Sequence, residues 1–131
     1  MLRVSSRLDD SLEELVHRVI GCCLEVHRAL GPGLLEGIYR RATCVELKAS
    51  NILFEEEKRI PILYRGEALT DQRLDILVAG QIIVEVKAVD HLAPVHHAQV
   101  SSYLRASGLQ VGLLVNFNVP TLPQGLRRIV L

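Results

Sequence analysis

Asp71-Gln-Arg-Leu-Asp75-Ile-Leu-Val-Ala-Gly80-Gln-Ile-Ile-Val-Glu85-Val-Lys87-Ala88 is the stretch whose reading decides the fold. Leu74, Ile76, Leu77 and Val78 form one apolar run, and Ile82, Ile83, Val84, Val86 and Ala88 form a second. Two such runs around Ala79-Gly80 read as strands joined by a tight turn. Strands this apolar are buried on both faces. Asp75, Glu85 and Lys87 interrupt them, and a buried charge is costly unless it is paired or bound to a metal. These three side chains are therefore the candidate functional residues.

Strand geometry tests whether they can meet. Side chains alternate, so Glu85 and Lys87 share one face and Val84 and Val86 the other. Directly opposed residues of an antiparallel hairpin point to the same side. A two-residue loop at Ala79-Gly80 sets Asp75 opposite Val84, on the wrong face. A three-residue loop, Val78-Ala79-Gly80, sets it opposite Ile83 and diagonal to Glu85, on the right one. Gly80 then supplies the left-handed residue which that loop wants last. Two carboxylates and an ammonium would converge. Paired carboxylates are hard oxygen ligands suited to Mg2+ or Mn2+. A lysine beside them can orient a metal-bound water and stabilise charge building on a phosphate. The competing reading is a plain Glu85–Lys87 or Asp75–Lys87 pair at a sheet end, since a lone Glu-x-Lys triplet is commonplace.

With 131 residues the chain reads as one domain, residues 1–131, long enough to bury a core. Apolar content of 49% and charged content of 23% are those of a soluble globular chain. No run approaches the roughly 18 apolar residues of a membrane span. Residues 1–7 lead into no apolar core of signal-peptide type. Three cysteines, two of them adjacent at Cys22-Cys23, make neither a disulfide framework nor a zinc-ligand spacing. They fit reduced core residues of a cytoplasmic protein. The zero net charge argues against constitutive, tight nucleic-acid binding but leaves room for a local basic face. Scarce aromatics argue against a base-stacking platform.

A first helix is expected over 11–30, opened by the capping-box pattern Ser11-Leu-Glu-Glu14. Leu12, Leu15, Val16, Val19, Ile20, Cys23 and Leu30 form its buried stripe, and Gly31-Pro32-Gly33 ends it. A second helix is expected over 34–50, with Leu35, Ile38, Ala42, Val45 and Ala49 as its apolar face. Glu55 to Glu57 and Ile60-Pro61-Ile62 read as an edge strand, with Arg65-Gly66-Glu67 as a turn. A third helix runs from Pro94 to Ser107, closed by Gly108, with Val95, Ala98, Tyr103 and Leu104 partly apolar. Residues 111–117 read as a buried strand and 127–131 as a terminal one. The order is α-α-β-β-β-α-β-β, a mixed sheet with helices packed on it.

Several local patterns then coincide. Gly33-Leu-Leu-Glu36-Gly-Ile-Tyr39 is a G-x-x-E-x-x-Y string, followed by Asp75, by Glu85-x-Lys87 and by Gln99-x-x-x-Tyr103 on a helix. Gly112-Leu-Leu-Val-Asn-Phe-Asn118 follows them. From about residue 11 onward the chain closely resembles the GxxExxY proteins, a bacterial branch of the PD-(D/E)XK nuclease superfamily. The resemblance implies a restriction-endonuclease-like αβββαβ core, here with an extra N-terminal helix. It implies that Asp75 and Glu85 bind the metal and that Lys87 is the catalytic lysine. It implies that Glu36 contacts the metal through water, and that Gln99 and Tyr103 touch substrate phosphate or steady the lysine. Leu74 stands where the superfamily pattern has proline.

Simpler readings stand beside these. Glu36 can pair with Arg40 on a helix surface. Gln99 and Tyr103 can be a half-buried helix face. His27 reads as a surface or core histidine rather than a metal ligand. His96 and His97 diverge, and at least one is solvated or a weak phosphate contact. Arg40, Arg41 and Lys48 are a backbone-binding strip or a solvated face. The leading expectation is a Mg2+- or Mn2+-dependent nuclease acting on nucleic acid, DNA in the first place. Asp75, Glu85 and the Val86 carbonyl would hold the ion, and Lys87 would position the attacking water. The alternative is a catalytically silent binding or assembly module, and a third reading is a nuclease that works only with a protein partner. A homodimer fits the small size, but no interface stripe is evident.

Overall fold

The computed structural model describes residues 8–131, so the leader reading of residues 1–7 lies outside the described residues. Helices α1 (Asp10–Leu30) and α2 (Glu36–Ala49) come first, then strands β1 (Phe54–Tyr64), β2 (Glu67–Val78) and β3 (Ile82–Lys87). Helix α3 (Pro94–Ser107), β4 (Val111–Asn116) and β5 (Leu126–Val130) follow, with a short 3-10 turn at Leu122–Gly125. The order is the expected one. The five strands lie in sequence order in one sheet. Only β3 and β4 run parallel, joined by α3 as the crossover.

The sheet is covered on both faces, which is why β3 and β4 are apolar almost throughout. On one side Ile76, Val78, Ile82, Val84, Val86, Leu113 and Val115 pack against α1 and α2. On the other, Leu74, Leu77, Ile83 and Leu114 pack against Val100, Tyr103 and Leu104 of α3. Val95 and Ala98, expected on the apolar face of α3, are exposed instead, and Val100 takes the core position. Among the described residues no helix is long and apolar enough to cross a membrane. Cys22, Cys23 and Cys44 are buried free thiols.

Two helix readings need correction. Helix α1 begins at Asp10, one residue earlier than expected, because its cap is Asp9 rather than Ser11: the Asp9 carboxylate accepts the Leu12 N–H at 2.8 Å. An N-terminal carboxylate also suits the helix dipole. Leu30 lies outside the buried stripe, at 39% exposure. Helix α2 turns its other face inward. Tyr39, Thr43, Cys44 and Leu47 are buried, whereas Leu35, Ile38 and Val45 are 77%, 45% and 66% exposed. Ala49 is exposed too, and Ala42 is partly covered. The helix carries two apolar stripes. The inward one contains a threonine whose hydroxyl is satisfied by the Tyr39 carbonyl at 2.8 Å.

The central hairpin has a three-residue loop, as expected, but one position later, at Ala79-Gly80-Gln81. Ala79 (φ 51°) and Gly80 (φ 65°) are both left-handed, and the Gln81 N–H donates to the Val78 carbonyl at 2.8 Å. Two successive left-handed residues are what a primed turn requires. Val78 pairs with Ile82, and one continued step puts Asp75 directly across from Glu85 rather than Ile83. Parity is unchanged by this shift, so the two acids share a face.

Candidate active site

The site forms where the sheet stops being regular. Strand β1 pairs Glu56 with Ile76 and Lys58 with Leu74, and Glu57 between them has φ 56°, rare for a residue with a side chain. The β2–β3 ladder ends at Ile76↔Val84. Asp75 therefore sits at a gap in both ladders, and side chains fill it. The Asp75 N–H donates to Glu85 Oε1 at 3.0 Å, and the Val86 N–H donates to Asp75 Oδ2 at 2.8 Å. Each acid accepts an amide from the strand carrying the other. In a strand the N–H and C=O of one residue leave the same side. The Val86 carbonyl thus faces the β2 side, next to Asp75.

Burial makes this pair electrostatically tense. Glu85 is 4% exposed. Burial and the neighbouring Asp75 charge push its carboxyl up to about 7, against the pull of the Asp75 amide and Lys87. Burial also raises the Asp75 carboxyl, opposed by the Val86 amide, Lys87, Arg40 and Arg73. Glu36 lies close enough for its charge to push Glu85 further in the same direction.

Glu36 gets its place from the G-x-x-E-x-x-Y string. Gly33 has φ 104°, which side chains strongly disfavour. The Tyr39 hydroxyl donates to the Gly31 carbonyl at 2.6 Å and accepts the Leu34 N–H at 3.0 Å. Its ring stacks on Phe117 at 4.8 Å between centroids. Gly33 turns the chain, Tyr39 locks the turn, and Glu36 is presented from the first turn of α2. The surface pairing of Glu36 with Arg40 is not formed. Arg40 bonds Glu56 at 3.2 Å and Glu57 at 3.3 Å instead. Arg73 reaches Glu57 at 3.6 Å.

From the other side α3 contributes Gln99 and Tyr103, one turn apart. Lys87 Nζ donates to Gln99 Oε1 at 3.3 Å. The Tyr103 hydroxyl accepts from Gln72 Nε2 at 3.0 Å. Burial, then the Glu85 and Asp75 charges, push the Tyr103 hydroxyl up to about 12. A groove of about 400 Å3 runs past Gln72, Gln99, Ser102 and Tyr103. The structure thus brings Asp75, Glu85, Val86, Lys87, Gln99 and Tyr103 together, with Glu36 at the margin.

Gln72, Arg40 and Asn116 are neighbours that the sequence reading missed as such. Simple alternation from Asp75 puts Gln72 on the wrong face, but the alternation of β2 breaks around Asp75, where Leu74 and Leu77 pack on the same side of the sheet. Buried Asn116 accepts the Val89 N–H at 3.0 Å and donates to the Val89 carbonyl at 2.9 Å, fixing the chain just after Lys87. The histidines stand apart. Buried His27 bonds the Val119 carbonyl at 2.7 Å, His96 Nδ1 accepts the Ala93 N–H at the start of α3, and His97 is exposed.

The donor set suits a hard divalent cation. Asp75 Oδ1 and Glu85 Oε2 make no hydrogen bond among the described residues, and strand geometry directs the Val86 carbonyl, like its N–H, to the β2 side. No cluster of three or more acid, histidine or cysteine ligands occurs among the described residues. A cation here would take two carboxylates, one main-chain oxygen and water, which is how a small hard ion is commonly held. Across residues 13–129 the sequence matches the family model of the PD-(D/E)XK nuclease superfamily. No curated protein and no solved structure matches it significantly.

Proposed function

Because the chain belongs to the PD-(D/E)XK nuclease superfamily, whose nucleases generally use divalent metal ions, we propose that it is a metal-dependent phosphodiesterase cutting nucleic acid, DNA in the first place. We place it in the GxxExxY branch, on the Gly33, Glu36 and Tyr39 string. Asp75, Glu85 and the Val86 carbonyl would hold Mg2+ or Mn2+. When bound, the ion polarises the scissile phosphate and lowers the pKa of water. Lys87, held by Gln99, orients the attacking water and faces the charge that builds on the phosphate. Glu36 orders water at the rim. Tyr103 keeps its proton at neutral pH and offers it, with the Gln99 amide, to a phosphate oxygen in the groove.

The observation that carries this reading is the exchange of amides between Asp75 and Glu85 at the end of the ladder, with Lys87 two residues on. The test is nicking of supercoiled plasmid with Mg2+ or Mn2+. Wild type should cut, Lys87→Ala should lose about a hundredfold or more, and chelation should abolish cutting. Unchanged activity in Lys87→Ala rules out this site. The neutral charge balance favours one second reading, a module that binds without cutting. Calorimetry showing Mn2+ and oligonucleotide binding without cleavage would select it.

A further inference from the structure

We propose that α2 is a dimerisation helix, and that its outward stripe packs against the same stripe of a second copy with the two helices parallel. Ile38, Ala42, Val45 and Ala49 are spaced by alternating fours and threes, and Leu35, the cap residue just before the helix, extends the row. That is the 3.5-residue repeat of a two-helix seam rather than the spacing of scattered surface residues. At 3.6 residues per turn the helical members of this stripe lie about 130° around the helix from the core-facing Tyr39, Thr43 and Leu47. Core packing within the protomer reaches Ala42 but does not account for the exposed Ile38 and Val45. The larger members of the stripe are the exposed ones, while Ala42 and Ala49 leave room for a close approach. Apolar exposure continues past both helix ends, at Leu34 (39%) and Leu53 (80%).

Charge selects the occupant and its direction. With Leu35, Ala42 and Ala49 as one seam position and Ile38 and Val45 as the other, Arg41 and Lys48 flank one side and Glu46 the other. Parallel pairing of identical helices sets Arg41 against Glu46 of the second copy, and two-fold symmetry makes that contact twice. Antiparallel pairing sets Arg41 against Lys48, also twice. Arg41, Glu46 and Lys48 form no ion pair within the protomer among the described residues, so these charges are unspent. Arg40 next door is already committed to Glu56 and Glu57. The 14-residue helix is about 21 Å long, short for a standard interface, so the dimer should be reversible and of micromolar strength. Parallel pairing also brings the two α2 N-termini, each bearing Glu36, to one end of the dimer.

The test is sedimentation of the full chain from about 1 to about 500 µM. A concentration-dependent dimer is expected. Val45→Glu should weaken it at least tenfold while the thermal melt of the protomer stays in place, and Val45→Lys serves as a second variant. Arg41→Glu alone and Glu46→Arg alone should each weaken self-association. Mixing those two proteins should restore it, because both cross-pairs then attract. A monomer throughout the range overturns the proposal, and so does a dimer indifferent to Val45→Glu and Val45→Lys. Tighter association of Arg41→Glu overturns the parallel arrangement, since the introduced carboxylate would then be meeting Lys48.

Discussion

Glu85→Gln should stabilise the metal-free protein at alkaline pH. A rise of the Glu85 carboxyl from 4.5 to about 7 corresponds to about 3 kcal/mol between its charged and neutral forms. In that window the folded chain holds a proton that the unfolded chain has lost. Stability therefore falls as pH rises from about 4.5 to about 7 and levels off above it. Glutamine cannot ionise, and its Oε1 can still accept the Asp75 amide, so the variant escapes the penalty. Relief of the Asp75–Glu85 repulsion is already part of that figure, since the Asp75 charge is one of the causes of the rise. Wild type in EDTA should lose about 3 kcal/mol between about pH 4.5 and about pH 8. The variant should exceed it by about 2–3 kcal/mol at pH 8, about 10 °C in Tm for a chain of this size, and match it near pH 4.5. Urea unfolding in EDTA across that range measures both curves. Adding Mn2+ should stabilise wild type but not the variant, because the ion needs the second carboxylate. A variant less stable than wild type at pH 8, or a difference that ignores pH, would refute the claim that Glu85 is buried beside a like charge.

Further expectations concern the supports of the site. Gln99→Ala frees Lys87 Nζ and should lower plasmid nicking by about tenfold or more, with Mn2+ affinity by calorimetry unchanged. Tyr39→Phe removes both hydrogen bonds that lock the turn before α2, and should cost about 1–3 kcal/mol in urea unfolding. Gly125→Ala would put its Cβ 2.1 Å from the Asn116 carbonyl oxygen, so backbone must shift. A loss of about 3 kcal/mol in thermal or urea unfolding is expected there.

Periodicity made most of the fold legible. The order of elements along the chain, the limits of α3 and the edge position of Pro61 follow from apolar runs and from glycine and proline positions. The charged triplet was legible for the same reason, since charges within doubly buried strands stand out. Orientation about a helix axis was not. Helix α2 has two stripes, and hydrophobic spacing cannot tell which one faces the sheet when the inward one includes Thr43 and the outward one is regular. Loop placement was also beyond the pattern, because Ala79 takes a left-handed conformation usually left to Gly, Asn or Asp. Gln72 escaped because its face depends on a break in the alternation of β2 around Asp75, which no composition rule predicts.

The interruption around Asp75 and Glu85 explains how a buried sheet can hold two acids at all. A complete ladder would spend the Val86 amide on a β2 carbonyl and leave the Asp75 carboxylate without its donor. Breaking the ladder releases that amide to the acid and swings the Asp75 amide toward Glu85. The break has a cost on β1, where Glu57 sits in a left-handed conformation worth about 1–3 kcal/mol. Arg40 from α2 and Arg73 from β2 hold that glutamate in place, and the same two cations help keep Asp75 charged. One irregularity thus opens the strand edge, orients both carboxylates and supplies the positive surroundings they need.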